Sequence, residues 1–275
     1  MRSRALVGLV LTVVLSGCPK QKDDGETLTA AEALQAVEES TLASQAENLT
    51  SASVELTTNF TIGQAVQNAA QEIQTFIQSQ LPCAEITLAD ATLTVKYGVN
   101  PGKCTYRNQT FSGTHTVHVS KNDNAEVVVE HTWAGLTNGR VSLDGNATVT
   151  WNFQDKTRHV VHTADWTRVA DGFKVTGQGD RTQSVLEGGL IEGIQVDGSR
   201  SWTSTRGDWD LSIEGVQMRW IDPVPQAGSY TLLSPKKKIL KLSFDRVDED
   251  TIKVTIANGN RSFAFDVTKA GAVNN

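Results

Sequence analysis

Thr114-His-Thr-Val-His-Val-Ser-Lys-Asn-Asp-Asn-Ala-Glu-Val-Val-Val-Glu-His131 is the stretch on which the fold turns. Apolar and polar residues alternate on both sides of Asn122-Asp123-Asn124, the period of a half-buried strand rather than a helix. A three-residue loop there pairs Val119 with Val127 and Val117 with Val129, and sets His115 opposite His131 on the same face. A two-residue loop would place valine against glutamate, so the odd length is preferred.

Working outward, the two-residue period persists. Ile86 and Leu88, then Leu93, Val95 and Tyr97, alternate with polar residues. Longer alternating runs follow at about 110–120, 125–134, 139–153, 157–169, 172–178, 193–205 and 208–220. Asn138-Gly139, Asp171-Gly172 and Gly207-Asp208 supply turn chemistry. Such short spacings leave no room for crossover helices, so the strands are antiparallel. Glycine recurs inside them, as in Leu143-Asp-Gly145, Val175-Thr-Gly177, Val196-Asp-Gly198 and Ile213-Glu-Gly215, which points to bulges, bending or close backbone approach. At the C-terminus a two-residue loop at Asn258-Gly259 pairs Val254 with Phe263 and Ile252 with Phe265. Pro223-Val-Pro225 sets this last unit off from the meander.

Ahead of the strands the period is 3.6. Thr29-Ala-Ala-Glu32 fits a capping box, and Leu34, Val37, Leu42, Ala46 and Leu49 follow at near-helical spacing. Ser51 to Thr58 is rich in Ser and Thr and reads as a linker or short extended piece. A second helix, with Thr61 as N-cap, carries Ile62, Val66, Ala69, Ala70, Ile73, Phe76 and Ile77 on one face and stops before Pro82. The expected fold is mainly β with N-terminal helices: a long antiparallel up-and-down meander, its sheet curved or half-closed into a barrel.

The first residues direct the protein elsewhere. Arg2 and Arg4 precede an apolar run from Ala5 to Leu15, ending in Leu15-Ser-Gly-Cys18. This three-part signal resembles that of bacterial lipoproteins. The resemblance implies that Cys18 is diacylated on sulfur and becomes the first residue. Pro19 at the following position implies the outer membrane rather than the inner. Residues 1–17 are then a signal peptide, 18–28 the acylated Cys and a flexible tether, 29–81 a helical segment, 82–222 the meander, and 223–275 a C-terminal β unit continuous with it. Loss of Arg2 and Arg4 takes the net charge from −6 to −8, with 23 basic against 31 acidic residues. The mature chain's sole basic run is Lys236-Lys237-Lys238, which argues against nucleic acid as a partner. Cys83 and Cys104 remain, and an exported pair without Cys-x-x-Cys spacing forms a disulfide. The Cys83, Tyr97-Gly98, Cys104 segment and the meander after it resemble Gram-negative envelope lipoproteins, a resemblance that implies no activity.

Catalytic signatures are missing: there is no His-Glu-x-x-His, no Gly-x-Ser-x-Gly and no phosphate-cradling loop, so no enzyme and no cofactor is expected. Asp208 and Asp210 flank Trp209 as a candidate acid pair, and Asp248-Glu249-Asp250 reads as a solvated hairpin tip. His115 and His131 would stand close enough to share a metal, with His162 or a nearby carboxylate as a third or fourth ligand, or else simply sit on a half-buried sheet. Trp133 and Trp151 continue apolar alternations and read as core. Trp166, Trp202 and Trp209 have polar neighbours and are the candidate ligand-facing aromatics, against a core role. The sequence thus anticipates a lipid-anchored envelope protein with a binding or scaffolding role and a protein or glycan partner. The alternative is a carrier of a lipid or other hydrophobic ligand in a curved-sheet groove. The mixed Arg200, Trp202, Ser204, Arg206 face argues against a greasy lining.

Overall fold

The computed structural model describes residues 27–57, 66–124, 126–152, 155–189, 191–219 and 221–274. Cys18, the expected acylation site, and Thr61, Ile62 and Trp220 lie outside them. Two helices, α1 (Ala30–Thr57) and α2 (Val66–Gln80), precede the strands. These are β1 Glu85–Ala89, β2 Thr92–Tyr97, β3 Thr105–Tyr106, β4 Gln109–Thr110, β5 Ser112–Lys121, β6 Val127–Thr137, β7 Val141–Asn152 and β8 Thr157–Arg168. They continue as β9 Lys174–Val185, β10 Ile194–Ser204, β11 Gly207–Met218, β12 Ala227–Leu233, β13 Ile239–Arg246, β14 Thr251–Asn258, β15 Arg261–Thr268 and β16 Val273–Asn274. All but the small β3–β4 hairpin form one 14-stranded antiparallel sheet in chain order, open between β1 and β16. The C-terminal unit joins the meander through β12, which pairs with β11 on one side and β13 on the other.

The sheet curls around α1, which packs against β7 on one side and β14 and β15 on the other. Every residue from Ala46 to Thr57 is buried, polar or not. The helix begins as expected: Glu32 N–H donates to Thr29 Oγ1 at 3.3 Å and Thr29 N–H donates to Glu32 Oε2 at 3.0 Å. Lys236 and Lys238, from the β12–β13 turn, pair with Glu32 at 2.9 and 2.8 Å and hold its carboxyl well below the usual range. The basic run is therefore a clamp on the start of α1. The expected linker over Ser51–Thr58 is corrected: α1 continues to Thr57. Hydroxyls that ordinarily compete with the helix here bond back along it, Thr50 to Ala46 O at 3.2 Å, Ser53 to Thr50 O at 2.7 Å and Thr57 to Ser53 O at 3.1 Å.

Both aligned hairpins fall two residues away from the expected register. Val119 faces Val129, Val117 faces His131 and His115 faces Trp133. The last pair before the loop is Lys121 with Val127, because Asn122 Oδ1 accepts from the N–H groups of Asn124 and Glu126 and lengthens the turn. At the C-terminus Val254 faces Phe265, Ile256 faces Phe263 and Ile252 faces Val267. Gly259 there takes the first central position of the turn with φ +56°, while Asn260 is not left-handed, which suits a II′ turn over I′. A two-residue slip leaves every side chain on its expected face.

The in-strand glycines mark bulges. Register shifts fall at Gly135 of β6 and Gly215 of β11, both with φ +57°. Each bulged N–H donates to an aspartate of the neighbouring strand, Gly135 to Asp144 at 2.7 Å and Gly215 to Asp197 at 2.6 Å. The Asp-Gly repeats noted in sequence are thus a device used twice to bend the sheet. Cys83 and Cys104 are disulfide-bonded, with Cα atoms 5.4 Å apart, tying the α2–β1 corner to the β2–β5 connection.

Candidate functional site

The concave face of the sheet is filled by α1 through a ladder of buried charge. Glu55 receives Arg158 of β8 at 2.9 Å, both side chains fully buried. One step along the helix, Glu47 pairs with Arg181 of β9 and lies 3.8 Å from Arg200 of β10 and 3.7 Å from His162 of β8. Further along, Glu39 accepts from the Trp202 indole at 3.2 Å and meets Arg206 at 3.4 Å. Burial pushes the Glu39 carboxyl up despite these partners. The arginines make side-chain contacts that neutral strand residues could not, but their desolvation leaves each dependent on its glutamate.

The three candidate tryptophans lie in this interior. Trp166, Trp202 and Trp209 are buried, with Trp202 and Trp209 stacked at 6.0 Å, so their rings belong to the core, although these two also border a recess of the outer face. Trp133 and Trp151 are core as well.

His115 and His131 do come together, though diagonally rather than face to face. His115 Nε2 lies 3.0 Å from His131 Nδ1, and His115 Nδ1 lies 3.2 Å from the Tyr97 hydroxyl. Burial pushes His115 down to about 3 and His131 well below its ordinary value, and pushes the Tyr97 hydroxyl up. At neutral pH both imidazoles are therefore uncharged, and Tyr97, His115 and His131 form one buried hydrogen-bonded chain whose direction follows from which ring nitrogens carry the protons. Trp133 packs beside both rings at 5.9 and 6.0 Å. His162, the expected third ligand, is engaged with Glu47 instead. Among the described residues no group of three His, Cys, Asp or Glu side chains could hold a metal ion. His118 and His159 are exposed, bonded to Thr92 at 2.9 Å and Asp180 at 2.5 Å.

A recess open to solvent lies on the other face. Two depressions of about 600 and 630 Å³ share Thr163, Gln178, Ser201 and Asp210 and form one trough across β7 to β13. Strand register builds it from cross-strand rows. Asp144, Asp165, Thr176, Thr203 and Asp208 form one; Asn146, Thr163, Gln178, Ser201 and Asp210 form the next. Hydroxyls brace the acids: Thr176 donates to Asp165 at 2.5 Å and Thr203 to Asp208 at 2.8 Å. Asp144 and Asp165 stand directly opposite each other, an arrangement of like charges that costs stability. Asp180 adds a fifth aspartate, and no lysine or outward-facing arginine lines the trough. At its far end Val161 and Ile239 are 42 % and 64 % exposed. Asp208 and Asp210 were legible as a pair in sequence; the others were not, because cross-strand register brings them together.

Fold and site define the class of protein: an open antiparallel meander closed on its concave side by its own N-terminal helix, with a polar, acidic trough outside. No known family model matches the chain, and no curated protein matches it significantly.

Proposed function

We propose that this chain is a lipid-anchored protein of the bacterial cell envelope, held at the outer membrane through Cys18, with a non-enzymatic binding or scaffolding role. The observation that carries the reading is the division of labour between the two faces of the sheet. The concave face, where a carrier would hold an apolar ligand, is occupied by α1 and its ion pairs. The trough of aspartates, hydroxyls and amides is a recess left open to a partner. The two tryptophans that border it, Trp202 and Trp209, are only 3 % exposed and offer little ring face for a sugar to stack on, and its charge suits a protein partner presenting lysine or arginine.

Two measurements test this. Cys18→Ala should release the protein from the membrane fraction; unchanged fractionation removes the anchor from the reading. Titration with a fluorescent Lys-Thr repeat decapeptide should show salt-sensitive binding that weakens about tenfold in Asp208→Asn/Asp210→Asn, the loss of roughly 1.4 kcal/mol. Equal binding of a Glu-Thr repeat, or no effect of the double substitution, would remove the trough from it.

A further inference from the structure

At Glu39 the charge ladder of α1 reaches an open cleft of about 330 Å³, between α1, the β8–β9 and β10–β11 turns and β16. That is room for a small organic molecule and not just for one water. Two buried polar atoms among its lining residues are orphaned. Glu39 is 1 % exposed, and its Oε2 accepts from the Trp202 indole while Oε1 has no hydrogen-bond partner among the described residues. The buried Thr41 hydroxyl has none either. Arg206 Nη1 approaches Glu39 Oε1 at 3.4 Å but makes no hydrogen bond to it. A buried acceptor in this condition has lost its water without replacing it, and a ligand that donates to it restores the loss.

The same cleft has a basic wall. The guanidinium carbons of Arg168 and Arg206 lie 5.2 and 5.5 Å from the centroid of the Phe173 ring, which gathers both cations to one place. Arg168 is held on Asp171 through Nε and Nη2. Arg206 reaches Glu38 and Glu39 through Nη1 alone, so its Nε and Nη2 are left for an incoming carboxylate. Leu42, Phe173 and Val273 add apolar surface. A simple anion here would face Glu38 and Glu39, and a simple cation would face two guanidiniums. A molecule carrying both charges meets neither obstacle.

We propose that this cleft binds a free α-amino acid with an apolar side chain. Its ammonium donates to Glu39 Oε1, its carboxylate accepts from Arg206, and its side chain lies against Phe173 and Leu42. The 3.4 Å between Glu39 Oε1 and Arg206 Nη1 suits a zwitterion whose ammonium and carboxylate are borne by neighbouring carbons, and disfavours one with its charges far apart. The site is separate from the outer trough, since the two share no lining residue.

The test uses the full folded chain and three probes with one side chain. L-leucine carries both charges, 3-methylbutylamine lacks the carboxylate, and 4-methylpentanoate lacks the ammonium. Thermal melts should show a saturable rise in midpoint with leucine, as ligand linkage requires, and half-saturation at least tenfold higher for either single-charge analogue. Arg206→Gln should weaken leucine about tenfold and leave the amine unchanged. Glu39→Gln should weaken leucine and leave the carboxylate analogue unchanged, a pattern that a general loss of folding would not produce. No saturable shift with leucine, equal shifts with all three probes, or variants that weaken all three alike would overturn the proposal and leave the cleft to ordered water.

Discussion

Gly113 and Gly135 meet across the β5–β6 bulge and make different demands on the side chain. Both have left-handed φ, +99° and +57°. A Cβ on Gly135 would meet nothing within 4 Å, whereas one on Gly113 would lie 2.2 Å from the Gly135 carbonyl oxygen. Gly135→Ala should therefore cost only the backbone term, about 1–2 kcal/mol. Gly113→Ala adds a collision with main chain that cannot move aside, for a total of roughly 3 kcal/mol or more. Urea denaturation of the two variants distinguishes these; equal costs would mean that the bulge relaxes. At this scale the sequence reading marked Gly145, Gly177, Gly198 and Gly215 as structural, passed over Gly113 and Gly135, and could not say which demand each glycine meets. That depends on the atom across the ladder, which register alone supplies.

At the scale of elements α1 is the unusual part. Its first half was legible, because Thr29 and Glu32 cap it and leucines and valine recur along it. Its second half was not, because Ser51, Ser53, Thr50 and Thr57 are poor helix formers judged singly. Enclosure by the sheet and hydroxyl bonds back to the helix carbonyls reverse that preference. The carboxylates along it should be unequal. Glu55→Gln leaves Arg158 buried without its counter-charge and should cost about 3–5 kcal/mol. Glu38→Gln, whose pair with Arg206 at 3.3 Å is nearly half exposed, should cost about 0.5 kcal/mol or less. Chemical denaturation of both measures the difference, and parity would show that the ladder does not secure the helix.

The whole molecule should answer to acid. His115, His131 and His162 are neutral in the fold because burial holds them below their ordinary value of 6.5. The unfolded chain takes up these protons first as pH falls, so their contribution declines from about pH 6.5 down to the folded values near 3 to 4. Glu39 and Glu55, pushed up by burial, work in the opposite direction, since the folded state then binds their protons first. Arg158 and Arg200, which face His131 and His162, add to the histidine effect. The three histidines shift through the upper part of that range and two glutamates oppose them, so stability should fall as pH drops from 6.5 towards 4.5. Urea midpoints across that range check it, and a flat or rising profile would contradict it. The sequence by itself determined the strand period, the antiparallel meander, the helix cap, the disulfide and the facing of side chains in the two aligned hairpins, because these follow from local patterning and loop length. Only the tertiary structure decided that α1 runs inside the sheet, that the polar-flanked tryptophans and arginines are core, and that five aspartates gather outside. Each of those depends on how fourteen strands curve together, and curvature is set by contacts between residues far apart in the chain.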